Sequence, residues 1–172
     1  GISVLKRLVE ELPEEDYLYY GDSANAPYGP RSTEKVRELT LNAVAKAKEG
    51  CDPKAIVIAC NTATAAARDL LQSTYPEIPV VGILPAVELA ASSRKNPQIL
   101  VLATAGTLKS YAYISLLSCI ADGAKVVSVA APEIVEYVEG AMLERETLLR
   151  RLKKSLGPYE HLKFDCVVLG CT

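Results

Sequence analysis

Short β-branched runs that are apolar at every position, such as IVIA within KAIVIACNT (54–62) and VVLG within DCVVLGCT (165–172), alternate with longer stretches of helical period. A strand with one face in water alternates apolar and polar residues. A run that is apolar throughout is buried on both faces, as in a parallel sheet covered by helices. The class is therefore α/β, with mainly parallel sheets flanked by helices. Helices are expected over 2–11, 31–49, 62–74, 85–93, 107–120, 132–141 and 144–155, and strands over 16–20, 55–59, 79–82, 98–103, 124–129 and 165–170.

The stops between these elements have local causes. Ser32 suits the N-cap of the second helix, Pro85 the first turn of its helix, and Gly50 and Gly157 fall where helices should end. The polar stretch Ser92-Ser93-Arg94-Lys95-Asn96-Pro97 interrupts the pattern and reads as a linker. It separates a first lobe, 1–94, from a second, 95–172, and two lobes imply a cleft.

At 172 residues and 49% hydrophobic content the chain can bury a substantial core. A net charge of −2 gives no electrostatic reason to expect nucleic acid or an anionic membrane as partner. No run of about 18 apolar residues occurs, and GISVLKRLVEEL reads as an amphipathic helix without a cleavage site, so a cytoplasmic location is expected. Five cysteines without a CxxC pair argue for thiols, not for a disulfide framework or zinc knuckle. The single histidine, His161, is too little for a His-based metal site and reads as a solvated surface residue.

Two of the thiols stand apart. KAIVIACNT and DCVVLGCT form a weak internal repeat in which a buried strand leads through a small residue to a cysteine. Ligands of open α/β sheets bind beyond the carboxyl ends of strands, which is where Cys60 and Cys171 fall. A helix opening at Asn61, Thr62 and Thr64 would favour negative charge at Cys60 or on a bound carboxylate. Capping and packing remain open as purely structural roles for these residues. Two equivalent thiols on facing lobes suit a reaction that removes a proton from one face of a carbon and returns one to the other, which is racemisation. Cys51, Cys119 and Cys166 read as packing residues. The loop GDSANAPYG (21–29) is longer than a β-turn requires. Pro27, Tyr28 and Gly29 would place a phenol O–H and a backbone N–H where a carboxylate could be held, with packing of Tyr28 as the competing reading. Thr104 and Thr107 in ATAGT could add hydroxyl donors or simply cap a helix.

The blocks GDSANAPYG, ACNTATA, PVVGILPAVELA, VLATAGTLKSYAY and VVLGCT, in this order and spacing, closely resemble the glutamate racemases of the cofactor-independent aspartate/glutamate racemase superfamily. The likeness covers essentially the whole chain. It implies two pseudo-symmetric α/β lobes with the active site between them, and interconversion of L- and D-glutamate that supplies D-glutamate for peptidoglycan. The family works without pyridoxal phosphate or metal, so no cofactor is expected. Carried across, Cys60 and Cys171 correspond to the acid/base pair, and Asn61, Thr62 and Thr104 to ligands of the α-carboxylate. Pro27, Tyr28 and Gly29 correspond to the side-chain carboxylate site, and Thr172 to a residue holding the amino group. Glu139, seven residues after Pro132, matches a helper glutamate of the family, with a solvated helix face as its other reading. The expected partner is glutamate itself, a small-molecule substrate. Neither nucleic acid nor membrane is expected, and a homodimer is left open.

Family chains begin with a strand and an Asp-Ser-Gly-rich loop, whereas Gly1-Ile2-Ser3-Val4-Leu5 resembles the residues just after that loop. They also continue from Gly-Cys-Thr into a histidine. The chain is accordingly expected to be an interior fragment, inactive alone. The rival readings are aspartate racemase or another two-cysteine relative, and a noncatalytic amino-acid-binding module.

Overall fold

The computed structural model describes residues 1–120, 123–140 and 144–171. They divide into two compact units, Gly1–Ile83 and Leu84–Cys171.

In the first unit, helix α1 (Ile2–Glu11) precedes the loop region and a short 3-10 turn at Ser23–Asn25, followed by α2 (Thr33–Lys48), β1 (Ile56–Ile58), α3 (Asn61–Thr74) and β2 (Val80–Gly82). Ser32 caps α2 as expected, its hydroxyl accepting from the Lys35 N–H at 3.2 Å. β1 and β2 pair in parallel, Ile56 with Val80 and Ile58 with Gly82. Val36 from α2, Ala63 and Leu71 from α3, Ile58 and Val80 close the core between helices and strands. Gly82 is required here, because a methyl at that position would run into the side chain of Thr64.

The strand expected over 16–20 does not form. A strand exists only through its pairing, and among the described residues none pairs with this run. The Tyr17 hydroxyl instead donates to the carbonyls of Leu8 and Leu12 at the end of α1, at 2.9 and 2.8 Å.

The second unit runs α4 (Val87–Ser92), β3 (Gln98–Ala103), α5 (Ala105–Leu108), α6 (Tyr111–Ser118), β4 (Lys125–Ala130), α7 (Pro132–Val138), α8 (Arg145–Leu156) and β5 (Cys166–Gly170). The sheet order is β4-β3-β5, all parallel. β3 lies between two partners and carries Ile99, Val101 and Ala103 into a core completed by Val87, Tyr113 and Val168. This packing places α4 with the second compact unit, which begins at Leu84. Asp165 fastens the start of β5: its carboxylate accepts from the Gln98 N–H at 2.8 Å and pairs with Arg94. The single helix expected over 107–120 is two. Ser110 ends the first turn by donating to the Thr107 carbonyl at 2.7 Å and caps α6 by accepting from the Tyr113 N–H at 3.2 Å. Among the described residues no helix is long and apolar enough to cross a membrane.

Candidate functional site

β1 delivers Cys60 to the N-cap of α3, where its backbone is extended (φ −145°, ψ 121°) and its carbonyl accepts from the Thr64 N–H at 2.8 Å. The first N–H groups of α3 converge on this point, which favours an anion there. Asn61, Thr62 and Thr64 form the buried first turn of the helix. The Thr64 hydroxyl turns back to the Ile58 carbonyl at 3.2 Å, which ties the turn to the strand.

Beside Cys60 stands the 22–31 loop. The half-buried Tyr28 ring and Cys60 pack on the same core cluster, close enough that charges on the two would oppose each other. The Ala26–Pro27 peptide is cis, and Pro27 and Gly29 flank Tyr28 half-buried. The Tyr28 hydroxyl donates to Asp22 Oδ2 at 2.7 Å. Asn25 Nδ2 donates to both oxygens of the same carboxylate at 2.9 and 3.0 Å, and Arg31 Nε donates to the Asn25 carbonyl at 2.9 Å. Burial pushes the Tyr28 phenol well above the ordinary tyrosine range, and the bond to Asp22 and the charge on Asp22 push it further. Burial also tends to raise the Asp22 carboxyl, but the bonds from Tyr28 and Asn25 outweigh it and hold the group below its ordinary value.

In the second unit the register Ala103 with Gly170 sends the next residues, Thr104 and Cys171, off the same end of adjacent strands. Cys171 is exposed. Thr104 is buried and caps α5, sharing a hydrogen bond with the Thr107 hydroxyl at 3.0 Å and accepting from the Thr107 N–H at 3.3 Å. Glu139 is exposed at the C-cap of α7, its N–H donating to the Val135 carbonyl at 2.9 Å. Since α7 starts just past β4, Glu139 lies about 10 Å along the helix from that strand end. Thr172 lies outside the described residues. Among the described residues no group of three or more His, Cys, Asp or Glu is arranged to hold a metal ion.

Sequence reasoning missed Asp22, Asn25 and Arg31. They recur with Tyr28 at every third position of DSANAPYGPR, a polar spacing that belongs to no regular element. It also missed Glu133, a carboxylate buried in the first turn of α7 that accepts from the Ser155 hydroxyl at 3.1 Å. A Pro-Glu pair opening a helix was its only signal.

Residues 1–172 match the Asp/Glu/Hydantoin racemase family. The chain belongs to that family. Among curated relatives of this family chain, the glutamate racemase of Clostridium botulinum (strain Alaska E43 / Type E3) is 43% identical over 172 residues, all of this chain and 66% of the relative. That of Clostridium novyi (strain NT) is 41% identical over the same share of each. The chain thus spans 66% of the length of these relatives. Among solved structures, glutamate racemase RacE1 of Bacillus anthracis superposes with a TM-score of 0.82 at 34% identity, over 99% of this chain and 64% of that one. The Escherichia coli enzyme, in complex with L-glutamate and the activator UDP-MurNAc-ala, gives 0.82 at 32% identity, over 99% and 65%. The parallel α/β architecture is therefore that of known glutamate racemases.

Proposed function

We propose that this family chain carries the chemistry of a glutamate racemase, interconverting L- and D-glutamate by proton transfer at the α-carbon. The observation that carries the reading is Cys60 at the N-cap of α3, directly beyond a parallel strand and within a chain of this family. Cys60 as thiolate would take the α-proton from one enantiomer and become a thiol. The Cys171 thiol would give its proton to the opposite face and become a thiolate, and the reverse reaction exchanges the roles. Asn61, Thr62 and Thr104 would hold the α-carboxylate, whose negative charge grows as the proton leaves and is best met by fixed donors. The turn Pro27-Tyr28-Gly29 would take the side-chain carboxylate, Thr172 would hold the amino group, and Glu139 would assist as a helper carboxylate. The relatives' names favour glutamate over aspartate as substrate and oppose a noncatalytic binding module.

The test follows α-proton exchange of L- and D-glutamate in heavy water by NMR, in a chain extended at both ends to the length of its relatives and in the Cys60→Ser and Cys171→Ser variants of that longer chain. Each substitution should suppress racemisation by about 10²- to 10⁴-fold, the contribution of a positioned acid or base, while glutamate still binds. Near-normal turnover in both directions by Cys60→Ser would end the two-base reading.

A further inference from the structure

The Tyr28 hydroxyl has one proton to give, and Asp22 holds it at 2.7 Å. The same carboxylate gathers both contacts from Asn25, and Arg31 closes the far side of the loop on the Asn25 carbonyl. The Arg31 N–H also returns to the Tyr28 carbonyl at 3.1 Å. The loop is therefore a closed ring of hydrogen bonds centred on one carboxylate, and its aromatic member rests on the core beside Cys60. We propose that Asp22 is a positioning residue of the site, which by accepting the Tyr28 hydroxyl's hydrogen bond clasps the 27–29 turn against the core beside Cys60.

This rests on the racemase reading only for the importance of Cys60; the clasp itself is a property of the substrate-free chain. A bare carboxylate released from Tyr28 and Asn25 would leave a half-buried hydroxyl without its acceptor and a turn without its anchor. An ionised Tyr28 would set a negative charge against a Cys60 thiolate. The charged or titratable groups around the pair are Cys60 and Arg31 near Tyr28, and Lys46 of α2 near Asp22.

Two readouts on the substrate-free 172-residue chain test the proposal. Tyrosinate absorbance near 295 nm, followed by alkaline titration, should show Tyr28 absent from the ordinary tyrosine range. Asp22→Asn should lower the pH at which that tyrosine ionises, because burial still raises it but the bond to and charge of Asp22 no longer do, and adding Tyr28→Phe should abolish the shifted transition. Alkylation of Cys60 by iodoacetamide, followed by peptide mass spectrometry, should speed up about tenfold in Asp22→Asn, the effect of about 1.4 kcal/mol. Tyr28→Phe, which keeps the ring, should do the same, and the double variant should go no further, because both remove the same charge-assisted Tyr28–Asp22 bond. Circular dichroism checks that each variant is folded, and if Asp22→Asn does not fold, Tyr28→Phe alone decides by its Cys60 rate. An unchanged titration in Asp22→Asn overturns the proposal, as does a double variant whose rate is the product of the two single effects. Absence of α-proton exchange in the chain extended to the length of its relatives, with the clasp readouts as expected, would instead sink the racemase reading alone.

Discussion

Gly170 is where the strand leading to Cys171 meets its neighbour most tightly. A methyl at Gly170 would lie 2.8 Å from the Ala103 methyl and 3.2 Å from Pro85 Cγ. Carbon atoms pack at about 3.5–4.0 Å, so the end of β5 must retreat by about 1 Å or the β3 partner must move. Ala103 is 4% exposed and pairs directly with Gly170, which leaves little room to yield. Overpacking of this kind costs about 1–3 kcal/mol. With a urea slope of about 2 kcal/mol per M, Gly170→Ala should lower the unfolding midpoint by roughly 1 M. The clash is between two methyl groups, so Ala103→Gly on the same chain should recover about half of the loss, even though glycine in a strand itself costs about 0.5–1 kcal/mol. Far-UV circular dichroism in urea reads the midpoint, and the alkylation rate of Cys171 reports whether the strand end has shifted. An unchanged midpoint in Gly170→Ala, or losses that add in the double variant, would refute this account of the β3–β5 junction.

Acid titration should reveal Asp22. Its folded-state value lies below the ordinary 3.8 because the Tyr28 and Asn25 bonds outweigh burial, so its stabilisation is complete above the unfolded value and is lost as pH falls through the folded one. Urea midpoints taken from about pH 5 down to about 2.5 should fall less in Asp22→Asn than in the parent; equal acid limbs would remove Asp22 from the loop's support. Tyr113 is 1% exposed and its hydroxyl meets Ser128 of β4 at 2.6 Å. Tyr113→Phe should therefore cost about 0.5–1.5 kcal/mol in the same assay, and Ser128→Ala on top of it should cost little more.

What could be read in advance follows from backbone periodicity. α1 and β3 fall on the residues their patterns select, because an apolar periodicity over six to ten residues is set by the element's own geometry. The run at 16–20 looked equally regular, yet a strand needs a partner, and pairing is a tertiary fact that the run's own residues do not encode. The split at Ser110 was written in the sequence as a hydroxyl residue just before an apolar run. It was overridden by the longer helical period on both sides, although one side chain that ends one helix and caps the next is enough to break it.

The site divides along the same line. The strand-end placement of Cys60 and Cys171 was legible because each follows an apolar run, although Val57, Val167 and Leu169 of those runs are exposed, and the carboxyl end of a parallel strand is a position that the backbone alone defines. The loop was not, because each of Asp22, Asn25, Tyr28 and Arg31 has an ordinary turn role when taken singly. Only their mutual bonds show that the first carboxylate bound by Tyr28 is the chain's own. A phenol whose hydrogen bond is already given to Asp22 acts on a ligand through where it holds the turn. Removing the hydroxyl and removing the carboxylate should then be one perturbation seen from two ends, which a donor aimed directly at a substrate would not produce.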